Sequence, residues 1–283
     1  MAVVLGLLVA VSYGAGDFFG GLASRRVATP VVVATSQVLG LLLLATIVVT
    51  TSGHEALRDD VAAGAAAGSI GLVGLLLLYR GLAVGSMSVI APITAVGAAV
   101  LPLGWGLASG ERPGAPALVG VVLALVAVSL VASPADETAA GTPPVQGHAR
   151  EVALALGAGA AFGVVFILLG TTSEDSGLWP VLSARMASVT LVTTGTLAMG
   201  HRLTVPRGSR SLVAGAGLLD VSANALYVVA AREGLLSLVS VLSSLYPAAT
   251  VLLARVVLRE HVTARQRLGL GLALAGVALI ASG

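Results

Sequence analysis

Continuous apolar runs, a scarcity of charge and one long polar break near the middle predict an all-α integral membrane protein. Ten transmembrane helices are expected, arranged as two inverted five-helix repeats. The chain is 57% hydrophobic and 10% charged, far below the roughly 25% charged residues of a soluble globular domain. Apolar runs of about 20 residues recur along its whole length, each sufficient to cross a bilayer as a helix. They do not alternate over about ten residues as the strands of a membrane barrel would.

Polar, Gly and Pro breaks divide the chain into segments at about 2–23, 29–51, 61–82, 86–108, 114–133, 151–171, 177–199, 211–231, 235–257 and 265–282. The first is read as a membrane helix. "GLAS" at 21–24 resembles a signal-peptidase site, but Arg25 and Arg26 follow the apolar run instead of preceding it. In the fourth segment Pro92 and Pro102, and in the ninth Pro247, are expected to interrupt the helix and serve as gating joints, since each removes a backbone donor. The ninth also carries Ser237, Ser240, Ser243 and Ser244. The stretch "SPADETAAGTPPVQGHARE" (133–151) has linker composition. It sets a first repeat at 1–133, a linker at 134–150 and a second repeat at 151–283.

The two halves match when the chain is moved against itself by 149 residues. Tyr13-Gly14 then falls on Phe162-Gly163, Glu111 on Glu260, and "GVVLALVAVSLVAS" (120–133) on "GLGLALAGVALIAS" (269–282). A shift of 148 places Gln37 on Arg185. Five spans per half would insert the halves in opposite directions, an architecture that places a binding site near the membrane midplane between them.

Composition excludes several functions. The net charge is +2 and all of the positive charge is arginine, too slight an excess to track phosphates, so no nucleic-acid partner is expected. No P-loop is present, so no nucleotide is expected. Without cysteine there is no disulfide or thiolate chemistry. His54, His148, His201 and His261 fall in or beside loops without metal-ligand spacing, so neither metal nor cofactor is expected.

The polar residues inside the spans carry the functional reading, because a charge in hydrocarbon needs a partner, water or a proton. Asp17 in "YGAGDFFGG" shares a helical face with Tyr13, Gly20, Gly21 and Ser24. That face has room for a close neighbour or for substrate. Asp17 either ties helices together or binds a proton or a cationic substrate. Asp220, Asn224 and Tyr227 stand at i, i+4 and i+7 and offer a carboxylate, an amide and a phenol. Arg185 can pair with Asp220 or Asp17, or can snorkel to an interface. Glu111 and Glu260 head the fifth and tenth segments, where a carboxylate complements the positive helix end.

"SGERPG" (109–114) and "LREHVT" (258–263), each between a repeat's fourth and fifth helices, together with the duplication, resemble the drug/metabolite transporter superfamily and its ten-helix EamA-type members. The resemblance covers essentially the whole chain. It implies a non-enzymatic, gradient-driven exporter of small metabolites or amino-acid-like solutes, working by alternating access in the inner or plasma membrane. Its partners would be a small-molecule substrate, the lipid bilayer and protons. Small multidrug-resistance relatives carry an essential acidic residue in their first helix, the helix of Asp17. An arginine at the Arg185 point of the repeat is common in the family, so Gln37 is a departure in the first half.

Two rival classes fit the residues less well. "GAGD" (14–17) matches the GxGD pattern of intramembrane aspartyl proteases and "PAL" occurs at 116–118, but their order along the chain is wrong for that family. A receptor or assembly subunit would give no reason for repeated halves with facing polar groups. Orientation is contested: loops after odd-numbered segments hold more arginine, which favours both termini outside. The family implies both in the cytoplasm.

Overall fold

A computed structural model describes residues 1–50, 55–84, 87–131, 146–258 and 264–282. Eleven α-helices carry the described chain: α1 (Ala2–Ser24), α2 (Thr29–Thr50), α3 (Arg58–Val84), α4 (Met87–Ala108), α5 (Ala115–Val131), α6 (Gln146–Gly170), α7 (Trp179–Ala198), α8 (Arg210–Glu233), α9 (Leu236–Ser243), α10 (Tyr246–Leu258) and α11 (Ala264–Ser282). Among the described residues there is no strand. Among the described residues six helices (α1, α2, α3, α6, α7 and α8) are long and apolar enough to cross a membrane, and shorter apolar helical stretches occupy 93–108, 115–130, 236–250 and 267–280.

One boundary differs from the sequence reading, and one expected interruption is present. The helix following the linker starts at Gln146, inside the stretch assigned to the linker. The ninth apolar run is two helices, because α9 stops at Ser243 and α10 starts at Tyr246. Pro247 explains this interruption, as expected from the sequence. It has no N–H to give to the carbonyl one turn back, yet it fits the first turn of a new helix. By contrast α4 runs as helix through positions 92 and 102, so neither proline there breaks it. Pro102 is buried, and the side chain of Pro92 lies outside the described residues.

Most major contacts join helices from opposite halves of the chain. α1 packs on α8 as α6 packs on α3; α4 packs on α6 as α9 and α10 pack on α1; α3 packs on α7 as α2 packs on α8. α5 meets α11, and α2 meets α7. Exchanging the first five helices for the last six leaves this set unchanged.

Glycine sets the closest of these crossings. A Cβ at Gly68 of α3 would collide with the carbonyl of Ala184 in α7. One at Gly217 of α8 would collide with the carbonyl of Ser36 in α2. Gly217 is Gly68 moved by 149 positions and Ala184 is Ser36 moved by 148. These are the two shifts that align the halves.

Glu111 also bridges the halves. Its carboxylate oxygens accept from the backbone N–H of Leu236 (2.9 Å) and of Ser237 (3.1 Å). It therefore caps α9, not the helix that it precedes, because the unpaired donors of α9 lie within its reach. Glu260 lies outside the described residues. A second polar strap closes the α6–α7 connection. Asp60 at the start of α3 accepts from Ser173 N–H (3.0 Å) and from the Ser176 hydroxyl. Arg232 at the end of α8 donates to the carbonyls of Ser173 (2.7 Å) and Gly177 (2.8 Å).

Candidate functional site

One cavity of about 70 Å³ lies where α1, α2, α7 and α8 face α3, α4 and α6. Tyr13, Asp17, Gln37, Arg185, Asp220 and Asn224 line it. Each is delivered by simple helical geometry. Tyr13 and Asp17 are one turn apart on α1, as are Arg185 and Ser188 on α7 and Asp220 and Asn224 on α8.

Arg185 organises the polar wall. Nη1 donates to Gln37 Oε1 and Nη2 to Asp220 Oδ2, so the open question of its partner resolves to Asp220. This is the one ion pair among the described residues, with side-chain exposures of 6% for Arg185 and 18% for Asp220. Gln37 Oε1 takes a second donor, the Ser188 hydroxyl at 3.0 Å. The Asn224 amide donates back to the Asp220 backbone carbonyl at 2.8 Å, which pins the amide against its own helix. A planar guanidinium thus gathers α2, α7 and α8 at one point.

Tyr227 is placed elsewhere. It is fully buried, with its hydroxyl donating to the Phe166 carbonyl at 3.0 Å and 2.8 Å from Ser240 Oγ. Its ring stacks on Phe166 with centroids 4.3 Å apart, and Tyr13 lies on Phe166 at 6.0 Å. Tyr227 therefore stands behind the wall and fixes a ring that lines the cavity. Seven residues share a helical face with their starting point but rise about 10 Å along the axis, which carries Tyr227 past the opening. Glu111 and Pro102 are not among the cavity-lining residues, nor is Pro247, although its neighbour Tyr246 is.

The opposite wall is apolar. Phe162, Val165, Phe166 and Leu169 come from α6, and Gly71, Leu72 and Leu75 from α3. Sequence reasoning passed over Phe162, Phe166, Ser188 and Tyr246. The only signal was weak: Phe162 is the partner of Tyr13 under the 149-residue shift, and Ser188 lies one turn from Arg185. Among the described residues no three His, Cys, Asp or Glu side chains gather to hold a metal. The arrangement can accept hydrogen bonds and positive charge on one side and bury apolar surface on the other.

Comparison with known proteins supplies a family match for the second half of the chain and the fold of the whole. Residues 149–282 match the profile of the EamA-like transporter family. An uncharacterized protein of Methanocaldococcus jannaschii is 29% identical over 135 residues, which are 46% of this chain and 95% of that protein. A crystal structure described only as that of a protein shares the fold, with a TM-score of 0.79 at 15% identity. That similarity covers 99% of this chain and 98% of the other.

Proposed function

We propose that this chain, whose residues 149–282 match the EamA-like transporter family, exports a small polar metabolite by gradient-driven alternating access. The observation that carries this reading is the cavity itself. It lies at the junction of the halves, and its polar wall takes Asp17 and Gln37 from one half and Arg185, Asp220 and Asn224 from the other. A site shared by two packed units can be exposed to either side as one rocks on the other. Two facts support the duplication behind it. The helix contacts map onto each other when the halves are exchanged. The archaeal relative is matched over nearly its whole length by less than half of this chain.

Asp17 is the proton-responsive group in this proposal. Asp220, Tyr13, Tyr79, Tyr246 and Arg185 are the titratable groups near it, and Arg185 is engaged by Asp220. Coupling requires that protonation of Asp17 favour one facing state over the other. Asp17→Asn then keeps the fold, loses gradient-driven transport in proteoliposomes and retains exchange. Wild-type transport with an unchanged pH profile in Asp17→Asn would reduce Asp17 to a packing residue. An efflux comparison of cells overproducing the wild type and Asp17→Asn identifies the cargo. The membrane is proposed to be the inner or plasma membrane with both termini cytoplasmic, which a C-terminal reporter fusion tests directly. A hydrolytic reading would need two aspartates sharing a proton, and Asp220 is instead held by a guanidinium.

A further inference from the structure

The cavity is built from equivalent positions that have been filled unequally. Under the 149-residue shift Asp17 corresponds to Phe166, Gly71 to Asp220 and Leu75 to Asn224, and all six line the cavity. Each pair sets a polar residue against an apolar one. The polar members all lie on α1 and α8, which pack together, and the apolar members all lie on α3 and α6, which also pack together. The result is one polar wall and one apolar wall.

The charges on the polar wall do not balance. Among the described lining residues there are two carboxylates, Asp17 and Asp220, and one guanidinium, Arg185. Arg185 is buried and committed to Asp220 and Gln37. An anionic cargo would have to take it from a buried ion pair and leave Asp220 uncompensated, an arrangement that proteins avoid. A cation meets no such obstacle, because Asp17 supplies a carboxylate to which the described lining offers no cation of its own. The Phe162 and Phe166 rings opposite suit an apolar chain and also attract positive charge to their faces.

Resting on the transporter reading above, we infer that the cargo is a small amphipathic organic monocation, an alkylammonium in its simplest form. Its head lies on the Asp17 wall and its chain on the Phe162–Phe166 wall. Carboxylated solutes of the same size are rejected. An alkylammonium carries the head group of lysine and is fully charged at pH 7.

The chain contains no cysteine, so a single reporter thiol can be read without background. Ala98 lines the cavity from α4, outside the polar wall. In purified full-length Ala98→Cys protein, butylammonium, butyrate and butanol are compared for protection of this thiol from maleimide at pH 7. With a millimolar Kd, about 10 mM butylammonium occupies roughly nine-tenths of the sites and slows labelling about tenfold. Butyrate and butanol leave the rate unchanged. Adding Asp17→Asn removes the protection, and Asp17→Glu, which restores the charge, recovers part of it. Equal protection by butyrate or butanol overturns the inference, as does no protection by butylammonium, or protection that survives Asp17→Asn in a protein with the wild-type melting temperature. If protection fails while cells still release metabolites in an Asp17-dependent manner, the cargo class falls and the transporter reading stands. If both fail, both fall.

Discussion

Replacing Arg185 by methionine removes the hub of the polar wall while keeping a long side chain in its place. Two acceptors then lose a donor, the Asp220 carboxylate and Gln37 Oε1, which keeps only the Ser188 hydroxyl, and α7 loses its tie to both α2 and α8. With side-chain exposures of 6% and 18% across the pair, little water can replace what is lost. Removing one member of a buried pair costs about 3–5 kcal/mol, whereas replacing both members with packed apolar groups is close to neutral. Arg185→Met and Asp220→Leu should each cost that much, and the double variant should cost less than either alone. Equilibrium unfolding of the four proteins in mixed micelles gives the cycle, with the coupling term isolated from the single losses. Costs that simply add would refute the pair as a coupled unit. Single losses below about 1 kcal/mol, the range of a solvent-screened surface bridge, would show that water reaches it freely.

Three further outcomes follow from the packing. Gly68→Val and Gly217→Val drive a side chain into the carbonyls of Ala184 and Ser36 and should lower folded yield sharply, since overpacking typically costs about 1–3 kcal/mol and backbone cannot step aside. Gly104→Ala, where nothing lies within 4 Å, is the control for size-exclusion recovery. Glu111→Ala should destabilise by about 1–2 kcal/mol through the lost cap on α9, visible as a lower melting temperature; an unchanged melt would mean that solvent caps α9 equally well. Tyr227→Phe should cost about 1–3 kcal/mol by leaving Ser240 and the Phe166 carbonyl short of a partner. It should leave butylammonium protection of the Ala98→Cys thiol in place, because Tyr227 stands behind the cavity.

The helices were legible because apolar runs in this chain end at arginine, glycine and proline, which mark the same points in the folded bundle. The interruption of the run from 235 to 257 was legible in the missing N–H of Pro247, but its place at Ser244–Leu245 and the unbroken course of α4 through positions 92 and 102 were not. Asp17, Asp220 and Arg185 stood out through the cost of charge in hydrocarbon. The cavity brings them together with Tyr13, Gln37 and Asn224. Phe162 and Phe166 carry no such cost, and one aromatic ring among many apolar side chains has no signature. The reach of Glu111 to α9 depends on a contact across 125 positions of sequence, so local pattern pointed to the nearer helix. Gly68 and Gly217 were within the 149-residue register, but a glycine match among 36 glycines acquires meaning only once the opposing carbonyls are seen.

The partnership of helices from opposite halves has a consequence for biosynthesis. α1 finds its main neighbour in α8, and the polar group across from Asp17 is more than 200 residues later in the chain, at Asp220. At about 5–20 residues per second, ribosomes take roughly 10–40 seconds to cover that distance. For that interval the nascent first helix has only its lesser contacts with α2 and α3, Tyr79 against Gly20 among them, and lacks its main partner. The first helix therefore waits on α8 for most of its packing, and a ribosome stalled between α2 and α7 leaves a fragment in which the α1 face that receives α8 is uncovered.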